Sequence, residues 1–119
     1  MDEQLTSFPS FVDERGTLVP IELDHVGFDV RRVFAVAAPL GGSTRGEHAS
    51  TCRELIVLVS GEAEVITGVG ATERTVPLTR PGATAEVEPG DYIRYRLRDA
   101  GSVIVVLADD SYRPPDPLL

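Results

Sequence analysis

Short β-forming segments separated by turn residues recur along this chain at intervals of about ten residues. The turns carry Gly, Pro and Asp, as in Ser60-Gly61, Pro81-Gly82 and Pro89-Gly90-Asp91. Alternating or continuous apolar runs between them predict eight strands, and no window shows the sustained spacing of a long amphipathic helix. The pattern predicts an all-β sandwich or barrel with little helix. The predicted strands cover residues 17–23, 30–37, 54–60, 62–67, 74–78, 84–87, 92–97 and 102–107.

The chain length favours a single domain spanning residues 1–119. Its hydrophobic content of 42% is that of a folded protein rather than a disordered one. Residues 1–10 lack periodicity, and residues 112–119 contain three prolines that cannot join a central ladder. We expect both ends to be peripheral, on the surface or against a partner subunit.

Charge and residue usage exclude several classes of function. The formal net charge is -8, the wrong sign for binding nucleic acid or an anionic membrane surface. The chain has no lysine, which excludes a Schiff base, and a single cysteine, Cys52, which excludes an intrachain disulfide and a cysteine-held zinc. Its apolar runs are far shorter than the ~20 residues that span a bilayer, and no signal-like segment opens the chain. We therefore expect a cytoplasmic protein.

The residues that carry chemistry concentrate between Gly42 and Gly61. His48 and Ser50 are two residues apart, so in a strand both point to one face, the interior of a small barrel. Together with Glu54, this spacing resembles the first signature of the cupin superfamily, in which a second histidine stands where Ser50 is here. Metal-binding cupins add a third histidine from a later strand, and no histidine follows Glu54. His48 and Glu54 offer only two ligands, so we predict no metal.

A wider resemblance runs in order along nearly the whole chain. The segments at residues 14–22, 30–34, 43–49, 59–61 and 103–109 resemble the sugar-nucleotide 3,4-ketoisomerase family, small dimeric cupins similar to the WxcM-like proteins. The resemblance implies a cupin jelly roll or antiparallel β-barrel, a homodimer, and no metal or other cofactor. It implies a reaction on nucleotide-linked 4-keto-6-deoxyhexoses that moves the carbonyl from C4 to C3 through an enediol.

The same resemblance implies roles for individual positions. His48 matches the histidine that abstracts the C3 proton, and Ser50 falls on the second histidine, which shuttles protons. Phe34 corresponds to a tyrosine that hydrogen-bonds the sugar, and Tyr92 to an aromatic tryptophan. Arg32 is the family match among the two arginines of its segment; Arg31 points to the opposite strand face.

The residue chemistry itself leaves some roles open. Histidine is the side chain that changes charge near neutral pH, so His48 is the natural base. Arg32 or Arg45 could stabilise the enediolate oxygen, and in the absence of lysine the substrate diphosphate must be held by arginines. Glu54 is either a buried, hydrogen-bonded acid near His48 or a charge at a strand end.

Three further features allow either a functional or a purely structural interpretation. Tyr92, Arg94 and Arg96 alternate along one strand face, which could clamp a nucleotide or simply be an exposed polar face. Cys52 has no base to activate it and is expected to pack, and His25 sits in a loop-like stretch without a partner motif.

Two other functions remain open. The protein could be a cupin isomerase, epimerase or cyclase acting on another small biosynthetic metabolite. It could also be a barrel that binds a nucleotide sugar without catalysis.

Overall fold

The computed structural model describes residues 7–39 and 42–110. These ranges contain ten β-strands, two short 3-10 turns at Leu23–His25 and Gly70–Thr72, and no α-helix. None of the helical segments found there is long and apolar enough to cross a membrane. The prediction of an all-β chain with little helix is confirmed. The strands are β1 (Phe11–Asp13), β2 (Gly16–Leu18), β3 (Arg32–Ala37), β4 (Ser43–Ala49), β5 (Glu54–Ser60), β6 (Ala63–Thr67), β7 (Arg74–Leu78), β8 (Thr84–Val87), β9 (Tyr92–Leu97) and β10 (Val103–Ala108).

Eight of the strands form two antiparallel four-stranded sheets. The first sheet has the order β3-β10-β5-β8 and the second the order β4-β9-β6-β7, while β1 and β2 form a separate hairpin. The main core lies between the two sheets, where Ile56, Leu58 and Ile104 of the first meet Val65 and Leu97 of the second. The two sheets are not joined into one closed barrel. Of the two predicted architectures, the jelly roll is therefore confirmed, as a two-sheet sandwich, and the closed barrel is wrong.

Two strands were missed in the sequence, one predicted strand is much too long, and three others differ by one or two residues at their ends. The predicted strand at 17–23 ends at Leu18, because Pro20 has no amide hydrogen for a ladder. The strands β1 and β4 were not predicted as such. β4 contains Gly46 and Glu47, which interrupt any regular alternation, and its pairing with β9 holds it extended.

A second, smaller core covers the outer face of the first sheet. Leu55, Val57 and Leu107 of that sheet pack there against Phe8 and Val26 of the N-terminal segment. Phe8 is only 1% exposed, so the expectation that residues 1–10 are peripheral is wrong for it. Aromatic burial of this size fixes the segment to the domain. The predicted peripheral residues 1–6 and 112–119 lie outside the described ranges.

The turn between β5 and β6 requires glycine for two separate reasons. Gly61 has a φ of +74°, and a Cβ there would collide with the Ser102 side chain and lie 2.7 Å from the Ser102 Cα. We expect Gly61→Ala to lower the free energy of unfolding by about 3 kcal/mol, since left-handed strain and a backbone clash add. Gly90→Ala is the matched control, with a φ of +92° and open space around its Cβ, and should cost about 1 kcal/mol. Equal losses in urea denaturation would contradict the role given to Ser102.

Candidate active site

The strand register places a polar layer at one end of the sandwich. In the first sheet, Arg32, Ala108 and Glu54 are neighbours across three strands on the inner face. In the second sheet, His48 and Thr67 flank Ile93 in the same way. Directly opposed residues in paired strands share a face. Most of the remaining inner face is apolar, so the polar side chains of the interior are concentrated at this end.

A bulge in β4 determines which of its side chains face inward. The pairing with β9 shifts between Gly46 and His48, so Glu47 is an extra residue, with a φ of +61°. Arg45 lies opposite Tyr95 and His48 opposite Ile93, which puts both on the inner face although they are three residues apart. Simple alternation from the sequence would separate them. A non-glycine residue with positive φ stores backbone strain, and such strain is concentrated at functional sites.

A buried hydrogen bond between Glu54 and Tyr95 links the two sheets at the polar end. The Tyr95 hydroxyl donates to Glu54 Oε1 at 2.6 Å, and the two residues are 1% and 5% exposed respectively. Of the two alternatives for Glu54, the buried, hydrogen-bonded acid near His48 is confirmed. Tyr95 was missed, although its position between Ile93 and Leu97 in an alternating strand is the signal that would have placed it inside.

The environment favours the protonated form of both partners. Burial raises the pKa of the Glu54 carboxyl, while the Tyr95 hydrogen bond and electrostatic interaction with Arg32 and His48 act in the opposite direction. Burial, and next the charge of Glu54, raises the pKa of Tyr95 far above its usual range. Tyr95 therefore keeps its proton and serves as the donor of the pair.

The raised pKa of Glu54 predicts a specific pH dependence of stability. Because the native state binds this proton more tightly, the stabilising contribution is complete below the unfolded-state pKa of 4.5 and is lost as the pH rises through the native value. The free energy of unfolding of the wild type minus that of Glu54→Gln should fall as the pH rises above the unfolded-state pKa of 4.5, until the native carboxyl is ionised. Urea denaturation at several pH values measures this difference. A flat or rising difference would contradict the assignment.

Arg32 lies at the same end with part of its hydrogen-bonding capacity unused. Its Nη2 is 4.0 Å from Cys52 Sγ, and its guanidinium carbon is 5.4 Å from the Phe34 ring centroid. Its Nε is buried and has no hydrogen-bond partner among the described residues. Arg31 is exposed and lies just before β3, which begins at Arg32 rather than at the predicted residue 30. Arg32 thus offers a donor for a group that enters from outside the chain.

Cys52 has the environment expected of a packing residue. It is free, and only 4% of it is exposed. Burial is the first cause that raises the pKa of its thiol, so the reactive thiolate is disfavoured.

His48 and Ser50 are both at the polar end, but in different states. His48 Nδ1 is buried and has no hydrogen-bond partner within the described ranges. The Ser50 side chain lies just after β4 and is buried, and its hydroxyl donates to the Cys52 carbonyl at 2.6 Å. The Cys52 amide donates back to the Ser50 oxygen at 3.4 Å. The Ser50 hydroxyl is therefore committed to the turn at residues 50–52, whereas the imidazole is available.

The other candidate binding residues of the second sheet lie on both of its faces, Arg45 on the inner face and Tyr92 and Arg94 on the outer face. Tyr92 and Arg94 point outward, since the alternate residues Ile93 and Tyr95 point into the core. Arg94 forms an ion pair with Glu73 at 3.1 Å. Their nucleotide-binding role stays a prediction, and the structure does not bring them together with His48.

Arg45 and His25 differ in how they relate to the site. Arg45 is exposed on the inner face of the edge strand β4, on the same side as His48. His25 is exposed in the first 3-10 turn.

Across residues 7–39 and 42–110, no group of three or more His, Cys, Asp or Glu side chains is placed to hold a metal ion. The side chains at the polar end can instead accept and donate protons and hold an anionic oxygen. A two-sheet jelly roll with a polar layer of this kind at one end is typical of small cupin-like proteins.

The chain belongs to the FdtA family, described as WxcM-like, C-terminal, whose model matches residues 1–118. It is 28% identical over 118 residues to the TDP-4-oxo-6-deoxy-α-D-glucose-3,4-oxoisomerase of Aneurinibacillus thermoaerophilus, covering 98% of this chain and 85% of that one. The resemblance identified from the sequence is confirmed.

Solved structures of similar proteins have the same fold. A double mutant of the 3,4-ketoisomerase QdtA of Thermoanaerobacterium thermosaccharolyticum, in complex with TDP, is 25% identical with a TM-score of 0.77, covering 93% of this chain and 82% of that one. Another mutant of that enzyme, in complex with TDP-4-keto-6-deoxyglucose, is 24% identical with a TM-score of 0.75 and the same coverage. The cupin-like fold expected from the sequence agrees with both.

Proposed function

We propose that this protein is a nucleotide-sugar 3,4-ketoisomerase, which moves the carbonyl of a dTDP-4-keto-6-deoxyhexose from C4 to C3. The observation that carries the proposal is the polar end of the sandwich, where His48 lies with Glu54 and Arg32 in a chain that the family model matches along its length. The curated relative is named as an oxoisomerase of the same kind of sugar nucleotide, which supports the substrate class.

His48 is the proposed base. Its imidazole removes the C3 proton, the electron pair of that bond forms the C3–C4 double bond of an enediol, and the same imidazole later returns a proton to C4. An imidazole exchanges protons in both directions near neutral pH, which the two half-reactions require. The negative charge that develops on the C4 oxygen needs a donor in a site shielded from water.

Arginines supply the positive charge that the substrate needs. Arg32 is half-buried beside Glu54, and its Nε has no hydrogen-bond partner in the part of the chain that the structure describes, so it is the proposed donor to the enediolate oxygen. Arg45, exposed on the same inner face, is the proposed partner of the diphosphate. Phe34, under the Arg32 guanidinium, forms an apolar wall for the sugar. Tyr92 and Arg94 remain candidates for the nucleotide end of the substrate.

Exchange of the C3 proton with solvent tests this function. The protein is incubated with dTDP-4-keto-6-deoxyglucose in heavy water, and deuterium is located by NMR. Incorporation at C3 supports the isomerase. Tight binding without any exchange would sink it and favour a nucleotide-sugar binding protein.

We further propose that the protein acts as a homodimer in the cytoplasm. The β1–β2 hairpin exposes Phe11, Val12 and Leu18 to 58%, 69% and 62%, and a two-stranded hairpin alone is marginally stable. A second copy that covers it would remove this apolar surface. Light scattering should give twice the chain mass of 12.8 kDa at micromolar concentration, and a monomer there would contradict the dimer. The free, buried state of Cys52 fits a reducing compartment.

A further inference from the structure

The proposed reaction moves two protons, and His48 accounts for only one of them. Carbonyl transfer from C4 to C3 carries a hydrogen from carbon to carbon, and it also removes the proton of the C3 hydroxyl and places one on the C4 oxygen. Ser50 occupies the sequence position predicted for the second transfer. Its hydroxyl hydrogen is already donated to the Cys52 carbonyl at 2.6 Å, in a turn where 4% of the residue is exposed. Another group must therefore carry the oxygen-bound proton.

Glu54 has the position and the hydrogen-bond geometry for this transfer. It belongs to the same inner layer as Arg32, and its carboxyl interacts electrostatically with His48. Tyr95 donates to Oε1, which leaves Oε2 as the oxygen that can carry a proton. A carboxyl buried to this degree costs free energy, and a chain keeps such a group most often where it has a task.

The protonation chemistry of Glu54 agrees with this geometry. Burial raises the pKa of the carboxyl above its usual value, which makes the acid form easier to reach than in an exposed glutamate. Tyr95 cannot take over this role, because its own pKa is raised far above the usual range and it remains a donor. The pair thus has one fixed donor and one titrating partner.

We propose that Glu54 is the catalytic residue that carries the proton between the two sugar oxygens, and that Tyr95 is the positioning residue that holds it. The inference rests on the proposed function. As His48 removes the C3 proton, the C3–C4 double bond forms and the carbonyl π pair moves to the C4 oxygen, which takes the proton of the Glu54 acid. The Glu54 carboxylate then removes the proton of the C3 hydroxyl, the C3 carbonyl forms, and the double-bond pair takes the proton of the His48 imidazolium at C4. Both residues return to their starting states.

Two quantities measured on the same sample separate this role from that of His48. Deuterium incorporation at C3 measures removal of the C3 proton, and formation of the 3-keto sugar measures the complete reaction. In Glu54→Gln the amide still accepts from Tyr95 but cannot accept and return a proton. We expect formation of the 3-keto sugar to fall by about 100-fold and C3 exchange by no more than about tenfold. Glu54→Asp, which keeps a carboxyl, should recover part of the conversion.

Controls assign each outcome to one cause. Glu64→Gln changes a carboxylate that pairs with Arg96 and Arg98 on the outer face and should leave both quantities unchanged. Ser50→Ala should keep the wild-type ratio of conversion to exchange, while thermal melting confirms that each variant is folded. Tyr95→Phe should lower kcat with little change in KM, because it displaces Glu54 without touching the sugar.

The possible failures are distinguishable. The inference is overturned if folded Glu54→Gln keeps the wild-type ratio of 3-keto sugar formation to C3 exchange. It is also overturned if Ser50→Ala lowers this ratio as much as is expected for Glu54→Gln. Either result leaves the proposed isomerase function intact. A wild-type protein that neither exchanges nor converts the sugar overturns the proposed function and the inference with it.

Discussion

Replacement of His48 by asparagine is expected to lower the rate of C3 proton exchange by about 10²–10⁴-fold, the usual contribution of a positioned general base. Asparagine is close to imidazole in size and polarity, but it cannot accept a proton at neutral pH. The imidazole lies opposite Ile93 at the polar end of the sandwich, and its buried Nδ1 has no hydrogen-bond partner among the described residues that would be lost. The variant should therefore fold normally and still bind the sugar nucleotide.

His25→Asn is the matched control for this experiment. His25 is the other histidine of the chain, and it is exposed in the 3-10 turn at Leu23–His25. We expect its exchange rate to equal that of the wild type within about twofold, because His25 is exposed and does not belong to the strand layer that holds His48. Exchange that survives in His48→Asn, or is lost in His25→Asn, would show that the base has been assigned to the wrong residue.

Removal of the Tyr95 hydroxyl is expected to have the largest effect on stability among single-atom deletions at the site. Tyr95→Phe leaves the Glu54 carboxyl buried without its donor, and such a group costs about 1–3 kcal/mol in the free energy of unfolding. The loss should grow as the pH rises and Glu54 ionises, because the hydrogen bond from Tyr95 lowers the pKa of the carboxyl, and it should shrink in acid as the carboxyl is protonated. Urea denaturation at neutral and acidic pH measures both effects.

Tyr92→Phe provides the comparison within the same strand. Tyr92 points to the outer face of β9, so removal of its hydroxyl should change the free energy of unfolding by less than about 0.5 kcal/mol. If the two variants lose the same stability, the hydrogen bond between Tyr95 and Glu54 does not contribute as the structure indicates.

The strands of the core follow from the sequence because their side chains alternate or are uniformly apolar. The continuous run of β5 and the alternation of β9 each contain enough local information to fix a strand. The site is different, since it depends on the pairing of strands far apart in sequence. Arg45 and His48 share a face only because Glu47 is an extra residue relative to β9, and a bulge of this kind has no clear sequence signal.

The same reasoning separates the site residues that could be predicted from those that could not. Strand alternation predicts only that one of Arg31 and Arg32 faces the site, and the family resemblance favours Arg32, which the structure places beside Glu54. Tyr95 is harder to predict from the sequence, because the charged residues of β9, such as Arg94, lie on its outward face. A buried tyrosine in an inner layer needs a hydrogen-bond partner, and that requirement, rather than charge, identifies the link to Glu54.

Locating the carbonyl after incubation with dTDP-4-keto-6-deoxyglucose tests the central claim most directly. Reduction of the mixture with borodeuteride marks the carbonyl carbon with deuterium, and NMR or mass spectrometry of the released sugar identifies its position. The account predicts deuterium at C3 in a protein-dependent fraction of the sugar, and none above background there with His48→Asn. Deuterium confined to C4 after prolonged incubation with folded wild-type protein would contradict it.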